Sequence, residues 1–185
     1  MVFDGRSVWI CSGSLRRFDT QNLMEDASYP ISAAAVGRLV LDGEELWILG
    51  SLPRTLVNLD PATASVLLEV VVAGGGGGSS SFAYDGSHLW VGNQDSNTVD
   101  KRGLDGSLVE TYAVHSAPTE LLFDGAHVWV ACRDGTIVKL KARDGSELGS
   151  FQVGFRPGAM AFDGINVWVA SEQPSVDGTY ALRKL

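Results

Sequence analysis

Five copies of one short motif, five tryptophans held in a single register within them, and Asp-Gly turn signals between brief apolar runs predict an all-β protein. The predicted architecture is a β-propeller of about five four-stranded antiparallel blades, one domain over residues 1–185 with repeats beginning near 3, 41, 84, 123 and 162. The copies are FDGRSVWI from Phe3, LDGEELWI from Leu41, YDGSHLWV from Tyr84, FDGAHVWV from Phe123 and FDGINVWV from Phe162. Their aspartates, Asp4, Asp42, Asp85, Asp124 and Asp163, are spaced 38, 43, 39 and 39 residues apart. Every tryptophan of the chain, Trp9, Trp47, Trp90, Trp129 and Trp168, lies five positions after its aspartate.

The fourth repeat shows the blade element by element. Glu120 to Phe123 is a short apolar strand, and Asp124-Gly125 reads as a type I′ hairpin turn, because Asp-Gly suits positive φ. His127 to Ala131 is the second strand, Arg133-Asp134-Gly135 a turn, and Thr136 to Leu140 the third strand. Arg143-Asp144-Gly145 turns the chain into a fourth strand, Glu147 to Val153. Four strands in about 40 residues is the arithmetic of a propeller blade. The second strands are apolar on consecutive positions, as in Val128-Trp129-Val130, which predicts burial of both faces by stacked neighbours. The tryptophans inside those runs are therefore core residues. The repeated aspartates, one per blade, are turn caps and not a converging calcium ligand set.

Composition narrows the function classes. Hydrophobic residues make up 45% of the 185, enough for a packed core. A net charge of -8 with no basic run disfavours nucleic acid. Cys11 and Cys132 are too few for a disulfide framework or zinc site and read as free buried thiols. No apolar stretch is long enough to span a membrane. Met1-Val2 runs straight into the first repeat, which reads as a chain without a signal peptide that starts inside a blade; its compartment is not legible.

A strand ending in Phe-Asp-Gly, then Val128-Trp129-Val130-Ala131, then turns such as Leu59-Asp60-Pro61-Ala62-Thr63, resembles the YVTN and NHL propeller repeat. It is also similar to the repeat of streptogramin (virginiamycin B) lyases. The resemblance covers nearly the whole chain and is specific to fold, since such families include lyases, lactonases, surface proteins and scaffolds. It implies that the strand before each Asp-Gly is the innermost of its blade. It also implies that the connections after strands two and four share the face where propellers hold ligands. On that face fall Arg54, Gln94, Asp95, His115, Arg133, Asp134, Arg156, Glu172 and Gln173. They mix both signs of charge, with no His-x-His or Glu-x-x-His spacing and no carboxylate pair beside a nucleophile. A streptogramin lyase needs a catalytic histidine with carboxylate and metal partners, and His115 with Glu172 is the only echo of that pattern. His88 and His127 share an offset filled elsewhere by Ser7, Glu45 and Asn166, the mark of a solvated turn.

Two departures complete the reading. Gly74 to Gly78 form a flexible connection, with neither the lysine nor the helix of a phosphate-binding loop. The last repeat stops in its third strand, Tyr180 to Leu185, so the chain is a compact ring lacking one outer strand or an arc that self-associates. Arg16-Arg17 and Lys139/Lys141 read as solvated strand edges. The expected role is non-catalytic: a binding module for a protein or small ligand, with no cofactor and no metal. The alternatives are a divalent-metal lyase or lactonase, and part of a longer propeller without a site of its own.

Overall fold

The computed structural model describes residues 1–11, 14–29, 38–50, 54–63, 65–72 and 81–185, so the glycine tract read above as a flexible connection lies outside the described residues. Among those residues there are nineteen strands and no helix, hence none long and apolar enough to cross a membrane. The chain divides into two compact units, residues 1–78 and 79–185.

The first unit holds two sheets. One runs β1 (Val2–Phe3), β2 (Ser7–Cys11), β3 (Leu15–Asp19), β4 (Glu25–Tyr29); the other runs β5 (Arg38–Leu41), β6 (Leu46–Leu49), β7 (Thr55–Leu59), β8 (Val66–Val71). The second unit holds three. The third sheet is β9 (Phe82–Tyr84), β10 (Leu89–Asn93), β11 (Thr98–Arg102), β12 (Leu108–Ala113), and the fourth is β13 (Pro118–Phe123), β14 (His127–Cys132), β15 (Thr136–Lys141), β16 (Glu147–Gln152). The fifth has three strands, β17 (Pro157–Phe162), β18 (Val167–Ser171) and β19 (Leu182–Lys184). Within every sheet, consecutive strands pair antiparallel, the meander of a propeller blade.

The Asp-Gly connection differs from the expected type I′ turn. Phe3 pairs with Val8, leaving a four-residue loop, and Phe123 pairs with Val128 in the same way. Only the glycines are left-handed, Gly5 at φ 93° and Gly125 at 97°, whereas type I′ requires positive φ at the aspartate too. The reason is the carboxylate. Asp124 Oδ1 accepts the backbone N–H groups of Ala126 (2.9 Å) and His127 (2.7 Å), which closes an Asx turn and fixes a wider loop.

The other oxygen reaches the core. Asp124 Oδ2 accepts the indole N–H of Trp129 at 2.7 Å. The same bond joins Asp4 to Trp9 (2.6 Å), Asp42 to Trp47 (2.9 Å), Asp85 to Trp90 (2.7 Å) and Asp163 to Trp168 (2.7 Å). Burying a large apolar side chain stabilises by roughly 1.5–3 kcal/mol. An indole N–H buried without an acceptor costs about 1–3 kcal/mol, enough to cancel it. The aspartate five residues upstream removes that cost.

Packing follows the alternation of side chains across each strand. Val128, Val130, Val138 and Leu140 pack with Ala83, Trp90 and Val99 of the third sheet. On the opposite face, Trp129, Ala131 and Ile137 pack with Val167 and Val169 of the fifth. In the first unit, Trp9 and Leu15 pack with Leu39, Leu46, Ile48, Val57 and Leu59. Each of these tryptophans faces the next sheet in the chain. Trp168 departs from the core expectation: it is only half-buried, because within its unit no sheet follows the fifth and no fourth strand flanks it.

Two predictions follow from the aspartate bonds. Asp124→Ala removes the acceptor of two backbone N–H groups and one indole and lowers unfolding free energy by about 2–4 kcal/mol, measurable by urea titration. The second concerns pH. Burial opposes ionisation of Asp4 and Asp124, yet the donated hydrogen bonds outweigh it and hold both below the ordinary 3.8; at Asp163 the Asn166 backbone N–H and the Trp168 indole do the same. A carboxyl with a lower pKa folded than unfolded stabilises the fold above the unfolded value. Thermal stability is therefore expected to stay level through this transition above about pH 5 and to fall as pH drops from there through 3.8 and below, followed by calorimetry across that range.

Candidate functional site

In an antiparallel meander, connections alternate between two ends of the sheet. The one-to-two and three-to-four connections share one end, which carries the Asp-Gly turns. The two-to-three connections and the links to the next sheet share the other. In the second unit that other end gathers Gln94, Asp95, His115, Arg133, Asp134, Arg156, Glu172 and Gln173, while Arg54 occupies the corresponding end of its own sheet in the first unit.

The backbone there is anchored. The Arg133 N–H donates to the Ala117 carbonyl at 3.0 Å, and the Glu172 N–H to the Arg156 carbonyl at 2.9 Å, tying each loop to the strand that enters its sheet. Gly158 lies at the bulge between Pro157 and Ala159, where a Cβ would fall 2.5 Å from the Glu172 Cα. This close approach lets Arg156 Nε meet Glu172 Oε2 at 2.5 Å. His115 Nε2 lies 4.0 Å from Glu147 Oε1. Asp134 Oδ1 accepts the Thr136 N–H at 3.0 Å. Asp95, Arg133 and Asp134 are exposed, Gln94 is half-buried and Arg54 is buried.

His115 and Glu172 are thus each engaged by a different residue, and neither contact joins the two. Among the described residues no three His, Cys, Asp or Glu side chains gather in a way that would hold a metal ion. Cys132 is buried, and burial pushes its thiol above the ordinary range, away from the thiolate a nucleophile needs. Cys11 is half-buried, less enclosed than the sequence suggested. A small cleft of about 270 Å³ does open at this end, lined by Ser171, Gln173, Ser175 and Thr179. Beside it, the Ser175 and Thr179 hydroxyls and the Thr179 N–H hold the Asp177 carboxyl down to about 2.

Larger concavities open at the Asp-Gly end, where sequence reasoning placed no site. A cleft of about 430 Å³ between the first two sheets is lined by Asp4, Arg17, Asp26, Glu44 and Pro61. Its counterpart between the third and fourth sheets, about 340 Å³, is lined by Asp85, His88, Lys101, Gly125 and Arg143. Arg17 and Lys139 are not the solvated cations expected of strand edges, and Lys101 shares their position. Each sits opposite a tryptophan in the ladder and over its ring: Arg17 at 5.6 Å from Trp9, Lys101 at 5.1 Å from Trp90, Lys139 at 4.6 Å from Trp129. Arg17 also pairs with Asp26 at 2.9 Å. Lys101 Nζ donates to the carbonyls of Ala142 (2.7 Å) and Arg143 (3.2 Å), bridging to the next sheet.

No family model matches the chain, and no curated protein matches it. Solved structures do. The Pan2 WD40 domain of Neurospora crassa is similar at TM-score 0.76 and 13% identity, over 96% of this chain and 57% of that one. A functionally unknown protein of Desulfotomaculum acetoxidans DSM 771 gives 0.77 and 16%, over 99% and 67%. Hydrazine synthase of Kuenenia stuttgartiensis gives 0.61 and 20%, over 78% and 47%. At these identities the likeness defines the class by fold alone: this is a β-propeller protein with WD40-like structural neighbours. The chain spans between about half and two thirds of the length of these structures.

The two ends of the sheets are predicted to respond differently to mutation. Lys101→Met leaves the Ala142 and Arg143 carbonyls without their donor and lowers stability by about 1–3 kcal/mol in urea titration. Glu172→Gln breaks an exposed ion pair and shifts stability by less than about 1 kcal/mol.

Proposed function

We propose that the chain is a non-catalytic β-propeller module, acting as one domain over residues 1–185, that presents the loops opposite its Asp-Gly end to a partner protein. The observation that carries this reading is the state of the loop side chains. Arg133, Asp134, Arg156 and Glu172 are exposed and carry both signs of charge, and the Arg133 and Glu172 backbone N–H groups tie their loops to the residue that enters their own sheet. A fixed surface of mixed charge suits protein recognition, where complementary potential sets partner choice and register. The repeat's resemblance to YVTN and NHL propellers supports a scaffold role, and the likeness of fold to a WD40 domain is in keeping with it. A second reading, that the chain is a portion of a longer propeller, is favoured by its matching only 57% and 67% of two propeller structures.

The test is quantitative affinity capture with charge-reversal variants. Arg133→Glu with Arg156→Glu is expected to lose a captured protein that the native chain retains, at unchanged melting temperature. Lys141→Glu with Arg143→Glu, at the other end, is expected to retain it. Equal capture by both variants overturns the assignment of this face. A melting temperature raised by Mg²⁺ or Ca²⁺ and lowered by EDTA favours the metal-dependent lyase or lactonase reading instead.

A further inference from the structure

The two clefts at the Asp-Gly end are built from the same parts and differ in charge. Each lies between one sheet and the next in the chain, and in each a cation from strand three crosses the gap. Lys101 Nζ donates to the Ala142 and Arg143 carbonyls of the fourth sheet, and Arg17 Nη1 reaches the Pro61 carbonyl of the second at 3.5 Å. At matching places, Ser7, Glu44 and Ala62 line the cleft of the first unit, and His88, Ala126 and Arg143 line that of the second. In the first unit the lining carboxylates of Asp4, Asp26 and Glu44 outnumber Arg6 and Arg17, and Asp26 neutralises Arg17 at 2.9 Å. In the second, Asp85 is the one lining carboxylate, beside Lys101 and Arg143.

Asp85 is already spent. Its Oδ1 accepts the Ser87 and His88 N–H groups and its Oδ2 the Trp90 indole. Nearby Asp144 has its own cation, Lys141, at 3.7 Å, and Glu110, opposite Lys101 in the ladder, does not line the cleft. Two side chains keep polar groups to spare. Arg143 is exposed and forms no ion pair among the described residues. His88 Nδ1 stands 3.8 Å from Asp85 Oδ1, beyond a hydrogen bond, so the ring has an N–H left to donate. The two come from different sheets, yet their backbones are fixed. Asp85 holds the His88 N–H at 2.7 Å, and Lys101 holds the Arg143 carbonyl at 3.2 Å. Phe123, Ala126 and Ala142 add apolar surface, and about 340 Å³ is the volume of a small-molecule cleft.

We propose that this cleft binds a small organic phosphate monoester. The Arg143 guanidinium and the His88 ring N–H hold the phosphate oxygens, the buried Lys101 ammonium adds charge beneath them, and the organic group lies against Phe123. A tetrahedral anion suits donors arriving from two sheets, because its oxygens point in separate directions. A planar carboxylate would be satisfied by the arginine fork alone. The net charge of -8 disfavours a polyanion, so the local surplus of cations fits a small ligand. The site lies at the end opposite the proposed protein-binding loops and does not rest on that reading.

The probe is phenyl phosphate, titrated into the full ¹⁵N-labelled chain at constant ionic strength. Saturable shifts are expected at the Ser87, His88, Gly125 and Ala126 amides, and none at the matching Arg6, Ser7, Gly43 and Glu44. Arg143→Ala is expected to weaken binding about tenfold, the effect of losing charged hydrogen bonds. Arg143→Lys keeps the charge without the fork and is expected to recover part of that loss. His88→Gln is expected to weaken binding as well, and all three variants to melt as the native chain does. Inorganic phosphate and benzoate are each expected to bind more weakly than phenyl phosphate, the first for want of contact with Phe123 and the second for want of a third oxygen. No saturation at tens of millimolar phenyl phosphate overturns the proposal, as do shifts undiminished by both Arg143→Ala and His88→Gln. Equal shifts in the cleft of the first unit overturn it too, since the anion then meets exposed cations indiscriminately. Equal affinity for inorganic phosphate or for benzoate overturns the ligand class.

Discussion

The hydrogen bond from each tryptophan indole to the aspartate five residues earlier is the constraint on which the blades depend. One carboxylate does two things at once. Its first oxygen closes the inner turn by accepting two backbone N–H groups, and its second satisfies the only polar atom of the largest core side chain. The turn and the core are thereby locked to each other. A shift of one residue in the inner hairpin would move the tryptophan to the wrong face and strand the carboxylate. The same geometry recurs with little variation in all five sheets, including the fifth, where the tryptophan is only half-buried. The bond therefore belongs to the local sequence and does not need the surrounding core to form.

Around this clamp the sheets add a second layer of contacts that is less uniform. A cation over one part of the ring and an aromatic against another extend the buried apolar surface outward to strands three and four. Lysine suits the place because its stem packs on the ring while its ammonium reaches the rim of the next sheet, as Lys101 does at Ala142 and Arg143. The second sheet solves the same problem without a cation. Asn58 donates to Glu45 at 2.5 Å, and the tryptophan beside it is fully buried.

Much of this was legible in the sequence, and the limit has a physical cause. The strands of the fourth repeat fall within two residues of the expected bounds, because Asp-Gly, Arg-Asp-Gly and apolar runs mark them directly. The aspartate and tryptophan were each visible, as turn cap and core, but their mutual bond was not, since an offset of five does not by itself say that two side chains meet. Arg17 and Lys139 were misread as solvated edges, and Lys101 was not singled out, because hairpin length hides their register. Arg17 lies eight residues after Trp9, Lys101 eleven after Trp90 and Lys139 ten after Trp129, though all occupy one position in the ladder. The loop candidates were assigned to one face through the repeat's resemblance to known propellers, and they fall on the connections after strands two and four of their sheets. Their pairing, His115 with Glu147 and Arg156 with Glu172, depends on neighbouring strands far apart in sequence and left no local mark.

The way the polar groups are used also bears on where chemistry can lie. A residue that repeats in every blade does so because every blade needs it, and here the repeated carboxylates are already consumed: each of the five has one oxygen on the turn backbone and the other on an indole. They have little left to offer a metal or a substrate. Recognition must then reside in what differs between blades. The clearest such difference is the set of loop residues, which vary from Gln94 and Asp95 to Arg133 and Asp134 at equivalent connections. With the shared carboxylates engaged inside the fold, the recognition proposed above falls to these varying residues.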